Sequence, residues 1–164
     1  MATSESSSFS TYRAWTLFSE GVIAGIIGGL SVMAVFLAYD AVLGVPLLTP
    51  SVLHAYFWEG PDTDWVASAE QSRAFGYVWL HLAVWLAIGI VAAVAASFID
   101  TSRRAWFVSA AAAAAALGSL ALLTRFLEIP GIGRHHLWVG ACVGGIMLAL
   151  YLGRRHPHLF EPLP

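Results

Sequence analysis

The sequence predicts an all-α membrane protein: a four-transmembrane-helix bundle with a short interfacial helix between spans one and two. Four apolar stretches occupy most of the 164 residues. A helix needs roughly 20 apolar residues to cross a hydrocarbon layer about 30 Å thick. Charged residues make up 11% of the chain, against about 25% in soluble domains. Because only a helix satisfies its own backbone polar groups in lipid, each stretch is predicted to be helical.

The four predicted spans are about Gly21–Leu43, Phe75–Phe98, Ala105–Leu127 and His136–Leu152. The first three contain about 23 residues each, and the fourth contains about 17, the lower limit for a crossing. They form a predicted transmembrane domain over residues 16–153. Residues 1–15 precede it as a polar, serine-rich tail whose composition is typical of disorder. Residues 154–164 follow it as a C-terminal tail.

Arginine positions predict the topology. Arg13 precedes span one, Arg103 and Arg104 lie between spans two and three, and Arg154 and Arg155 follow span four. The positive-inside rule places all three segments in the cytoplasm. The acidic loop between spans one and two then faces outside, and both termini are cytoplasmic.

The long loop between spans one and two contains a predicted helix. Thr49 followed by Pro50 is typical of an N-cap and the first helical position. Ser51–Trp58 is then a short aromatic helical segment, which Gly60 and Pro61 end. Such a segment is expected to lie along the outer membrane interface as an anchor for the loop. A lid over a site beneath it is the alternative.

Small residues spaced four apart predict where the helices pack closely, since packing drives helix association in lipid. Cys142, the single cysteine, cannot form an internal disulfide and is expected to be a small buried packing residue. The glycines predicted to lie at helix contacts are Gly21, Gly25, Gly29, Gly89, Gly140 and Gly144.

Ionisable residues collect at the predicted outer ends of the spans. Such residues are costly in a membrane and often mark function. His81 is the most informative, because it lies about two turns inside its span. We name this set the outer-face cluster: Asp40, His54, His81, Arg125, Glu128, His135 and His136.

Three functional interpretations of the outer-face cluster stand beside a structural one. His81 and His136, on different helices, are candidate axial ligands of a haem. Histidine with a carboxylate is also suited to a divalent metal ion. Asp, Glu and His side chains can relay protons or bind a quinol head group or small solute. In the structural interpretation, His81 hydrogen-bonds a backbone carbonyl or side chain of span one or four, with Asp40 and His136 as candidate partners.

A resemblance covers roughly the first 100 residues. Asp40 after an apolar helix, Pro46 in a Gly-x-Pro turn, the Thr49-Pro50 pair and the in-helix His81 occur in this order. This pattern resembles a group of small four-span bacterial membrane proteins with no assigned function. The resemblance implies a bacterial inner-membrane location and the same four-helix layout, and it implies no activity.

The sequence contains no Gly-rich phosphate loop, nucleophile elbow or HExxH helix. Its formal net charge of −2 argues against a nucleic-acid partner. We therefore expect no enzyme, but a non-catalytic or cofactor-holding subunit of a larger membrane complex, respiratory or photosynthetic. Its partners are then the bilayer and other membrane subunits or copies of itself. The alternative is a homo-oligomeric transporter or channel for ions or small solutes that uses the outer-face cluster.

Overall fold

The computed structural model describes residues 3–60, 71–99 and 134–156. Within these ranges the protein is all-helical and contains no strand. The helices are α1 (Thr3–Val42), α2 (Leu48–Trp58), α3 (Gln71–Ile99) and α4 (Arg134–Arg155).

Three of the described helices are long and apolar enough to cross a membrane. The candidate spans are Ala14–Val42, Arg73–Ser97 and His135–Arg155. They correspond to the first, second and fourth predicted spans. The predicted third span, Ala105–Leu127, lies outside the described residues.

Helix α1 begins at Thr3, well before the Gly21 boundary that the sequence predicted. Helical backbone therefore replaces most of the expected disordered tail over residues 1–15. Adding a residue to an existing helix fixes two dihedral angles for one hydrogen bond, whereas starting a new helix is much less favourable. The apolar part of α1 thus allows the polar, serine-rich segment to continue it.

Glycines set the contact between α1 and α3, which run antiparallel. A Cβ atom at Gly21 would lie 2.5 Å from the Cα of Ile90, and one at Gly25 would lie 2.7 Å from the Cα of Leu86. Gly89 faces the backbone of both Gly21 and Gly25 from the other side. The two backbones therefore touch, an approach that any larger residue prevents.

Trp85 of α3 joins α1 to α4. A Cβ atom added at Gly28 would lie 2.6 Å from the nearest atom of the Trp85 ring, and one added at Gly144 would lie 2.7 Å from it. Any side chain at either position would therefore collide with the indole. Gly29 lies against the Cβ of Trp85, and Gly140 of α4 faces the ring of Phe36. The indole thus fills the space that small residues leave on two neighbouring helices.

Two buried clusters mark the two ends of the bundle. At the end where α1 finishes and α4 begins, called here the Asp40 end, α1, α2 and α3 share a core that includes Phe36, Val52 and Tyr77. At the opposite end, called the Glu20 end, Ala24 of α1 and Leu152 of α4 belong to the other cluster. Cys142 is exposed, contrary to the expected packing role, because its position on α4 faces away from α1.

Candidate functional site

Asp40 is the most buried charged side chain among the described residues, with 1% of its surface exposed. It lies in the last turn of α1, which Gly44 ends in a left-handed conformation with φ 74°. The Val45 N–H donates to the Asp40 carbonyl at 3.0 Å, and the Gly44 N–H donates to the Ala41 carbonyl. This is the double hydrogen bond of a glycine-terminated helix, and it returns the chain towards α1.

The Asp40 carboxylate receives the first turn of α2. The Thr49 N–H donates to Oδ2 at 2.9 Å, and the Thr49 hydroxyl donates to Oδ1 at 2.6 Å. Asp40 stands at the negative C-terminal end of α1, an unfavourable place for an anion, but it also meets the positive N-terminal end of α2. Two hydrogen bonds and the second helix dipole therefore hold a carboxylate that burial alone would destabilise.

The start of α2 differs from the prediction by two residues. Leu47, with φ 67°, precedes the helix, so Thr49 is not its N-cap but lies within the first turn. The Leu48 and Ser51 N–H groups donate to Val45 and Leu47 carbonyls, and Pro50 has no N–H. Asp40 thus acts as the cap from nine residues away and accepts the hydrogen bond of the Thr49 N–H.

The far end of α2 is tied to α3. Arg73 Nε lies 3.1 Å from Glu59 Oε1, directly after α2 ends at Trp58. The His54 ring stacks on Trp58 with 4.8 Å between centroids, and it occupies the space beside Gly76. His54 Nδ1 is buried without a hydrogen-bond partner among the described residues.

His81 is turned into the protein, with 7% of its surface exposed. Its Nε2 lies 3.1 Å from the Gly29 carbonyl of α1, which makes Nε2–H the donor. Nδ1 then accepts from the Tyr77 hydroxyl at 3.3 Å. This inward orientation, with a backbone carbonyl of span one as partner, is what the structural interpretation of His81 predicted.

His135 and His136 meet α1 at Tyr39. The Tyr39 ring centroid lies 3.7 Å from that of His136 and 6.0 Å from that of His135. His136 is also within electrostatic range of Asp40. His135 is exposed.

The outer-face cluster is therefore a set of separate contacts in the described part of the chain. No hydrogen bond there joins any two of its five described members, although the His135 and His136 rings touch. Arg125 and Glu128 lie outside the described residues. Within those residues, no three His, Cys, Asp or Glu side chains are placed to hold a metal ion. Both ring nitrogens of His81 already have protein partners, so this conformation offers neither to a haem iron.

A second polar site at the Glu20 end was missed by the sequence analysis. Glu20 is 8% exposed. Arg155 Nε donates to Oε1 at 3.2 Å, and Nη2 of the same guanidinium lies 3.1 Å from that oxygen. His156 Nε2 donates to Oε2 at 3.2 Å. The sequence did contain a signal for this site. Glu20 directly precedes the first apolar stretch, at the end of the bundle where arginines are concentrated.

Comparison of the chain with protein-family models, with curated proteins and with solved structures gives no match. The resemblance to small four-span bacterial membrane proteins accordingly stays a prediction. What the chain does has to be inferred from its own geometry.

Proposed function

We propose that the protein is a four-span bacterial inner-membrane protein that serves as a non-catalytic subunit of a larger membrane complex. Chain direction supports the fourth span. Because α3 and α4 both run antiparallel to α1, α3 ends at the Glu20 end and α4 begins at the Asp40 end. Residues 100–133 must connect these opposite ends, and they include the apolar stretch Ala105–Leu127.

The orientation follows from charge. Arg154 and Arg155 lie at the Glu20 end, which the positive-inside rule places in the cytoplasm together with both termini. The Asp40 end then faces outside, and α2 lies along the outer interface. Exposed Phe57, Trp58 and Trp79 at that end suit the level of the lipid head groups.

Labelling of engineered cysteines tests this orientation. Cys142 is exposed and has to be replaced by serine first. In that background, a cysteine at Asp62 should react with an impermeant reagent in intact cells, whereas one at Ser4 should react only after lysis. The reverse pattern overturns the orientation.

The subunit role rests on one observation. The buried carboxylates and His81 bind the protein's own donors and acceptors, so they brace helices and are not presented to a substrate. Helix contacts depend on glycine and on one tryptophan, while each long helix keeps exposed apolar side chains such as Leu30, Val91 and Ile146. This arrangement suits a scaffold, and we favour an energy-transducing assembly, respiratory or photosynthetic.

Native purification tests the role. The tagged protein, expressed at its own level, is extracted in mild detergent and passed through affinity, ion-exchange and size-exclusion steps. A second tagged inner-membrane protein of similar size serves as the control. Partners that stay in fixed stoichiometry with this chain alone support the proposal. A lone homo-oligomer instead favours the transporter or channel.

A further inference from the structure

A groove runs between α3 and α4 on the side of the bundle that faces away from α1. Both helices pack along α1, but they have little direct contact with each other. Trp85 of α3 reaches Gly144 of α4 and lies at the base of the groove. Because α3 and α4 run in the same direction, the groove continues from the Asp40 end towards the Glu20 end.

The walls of this groove are apolar. On α3, Val84 and Ile88 flank Trp85 on its side away from α1, and they are 49% and 44% exposed. On α4, a Cβ atom at Gly145 would meet nothing within 4 Å, and Ala149, one turn further, is also exposed. The small residues on α4 thus leave room for the backbone of another helix to approach closely.

The chain leaves and re-enters the described structure at the two ends of this groove. Helix α3 ends with Ile99 at the Glu20 end, and α4 begins with Arg134 at the Asp40 end. Five residues link Ala105–Leu127 to α3, and six link it to α4. Such links reach about 17 Å and about 20 Å when fully extended. A helix on the far side of α1 would lie roughly 17 Å from both α3 and α4, whereas one in the groove would be next to both. The short links therefore favour the groove.

We propose that Ala105–Leu127 occupies this groove as the fourth helix of the bundle, an inference that rests on the four-span layout proposed above. The stretch is within one residue of the length of α4, and it runs antiparallel to it. With the ends of the two helices level, Ala112 lies at the depth of Ala149. The alanines at 110–116 then pass Gly145 and Ala149 at close range, as small residues do where helices touch in lipid.

Disulfide trapping in membranes from cells that express the full chain tests the occupant. Cys142 is first replaced by serine. Ala149→Cys is then combined with a cysteine at each of residues 110–114 in turn, which samples every side of a helix. A disulfide needs Cα atoms about 4.4–6.8 Å apart. Oxidation with copper phenanthroline should therefore link one or two of these positions to residue 149 within a single chain, as gel mobility and mass spectrometry of the linked peptides will show.

Ile23→Cys is the matched control. Ile23 is 45% exposed, and it lies two residues from both Gly21 and Gly25, on the opposite face of α1. Its neighbour Ala24 packs near Leu148, so its depth matches that of Ala149. Combined with the same five positions, it should give at least about tenfold less linked chain.

Three results overturn the docking. Links to residue 23 would place the stretch on α1. Links that join two chains would show that a second copy fills the groove. An absence of links in both series would leave the groove to lipid or to another subunit.

Topology labelling separates this inference from the four-span layout on which it rests. Ser102→Cys and Gly131→Cys, each as a single cysteine, should react with an impermeant reagent on opposite sides of the membrane. Opposite sides without a link to residue 149 would overturn the docking and leave the layout intact. Labelling of both from the same side would show that the layout itself is wrong, and the docking with it.

Discussion

The two ends of the bundle use a buried carboxylate in opposite ways. Asp40 binds the neutral donors of Thr49, only nine residues away, and it organises a turn. Glu20 binds the side chains of Arg155 and His156, which lie 135 and 136 residues away, and it joins the first described helix to the last. The same chemical group is thus a local cap at one end and a long-range tie at the other.

The comparison shows what each arrangement costs to break. Loss of the Asp40 carboxylate leaves the N–H and the hydroxyl of Thr49 without acceptors. Both groups are buried, so water does not replace the lost hydrogen bonds. Loss of the Glu20 charge frees Arg155, which is already half in contact with solvent. The local cap should therefore be worth more than the longer-range ion pair, because exposed charges are well solvated without a partner.

The largest loss of stability is expected from a substitution in the α1–α3 contact, which lies between the two ends and supports both. In Gly25→Leu the new side chain meets the backbone of Trp85 and Leu86, which cannot retract, so the helices must separate. We expect a loss of about 3 kcal/mol or more in the free energy of unfolding, with both ends loosened together. Unfolding in mixed detergent micelles, followed by circular dichroism, measures it.

Gly145→Leu is the matched control for the packing variant. Gly145 also lies inside a transmembrane candidate helix, but a Cβ atom there meets nothing within 4 Å. The free energy of unfolding should fall much less than in Gly25→Leu, since no backbone of the described helices obstructs the leucine and glycine is a poor helix former. Equal losses in the two variants would contradict close packing at Gly25.

Removal of the cap should give the next largest effect. Asp40→Ala leaves the Thr49 N–H and hydroxyl buried without an acceptor, which should cost about 2–3 kcal/mol. Hydrogen exchange of α2 amides should rise while that of the last turn of α4 stays unchanged. Asp40→Asn retains one acceptor oxygen and should lose less. If both ends loosen in Asp40→Ala, the two carboxylates do not act independently.

A smaller effect is expected for Glu20→Gln, about 1–2 kcal/mol, since much of the Arg155 side chain is already in contact with solvent. The distinguishing measurement is salt dependence. Raising NaCl from about 0.05 M to about 0.5 M should weaken the native contact at the Glu20 end. The Asp40–Thr49 contact, which is enclosed and has neutral donors, should not respond. If added salt weakened the Asp40–Thr49 contact as much as the Glu20 contact, the proposed difference between a neutral cap and an ion pair would be wrong.

The smallest effect should come from His81→Phe, about 1 kcal/mol for the lost bond to the Gly29 carbonyl. The ring shape is largely kept, so the contact with Trp85 should survive. The same pair of proteins tests haem binding by absorption spectroscopy. A Soret band in the native protein that disappears in His81→Phe would show that His81 leaves its present partners to bind iron.

Local features of this protein could be predicted from its sequence. The lengths of the apolar stretches located three helices, and most of the helix ends lie within a few residues of the predicted ones. The spacing of glycines marked positions that the structure places at helix contacts. Thr49 and Pro50 marked the start of a helix, and Asp40 was noted as part of the outer-face cluster and of the resemblance, but not as the partner of Thr49. The sequence nevertheless placed the cap on Thr49 itself, since the usual N-cap lies next to its helix.

Tertiary structure alone decided which distant groups meet. Nothing in the order of residues pairs Glu20 with Arg155 and His156, and nothing selects the Gly29 carbonyl as the partner of His81. The physical reason is that helix periodicity fixes the face on which a side chain lies but not the rotation or offset of one helix against another. Here backbone contact at Gly21, Gly25 and Gly89 sets that offset, and the polar contacts follow from it.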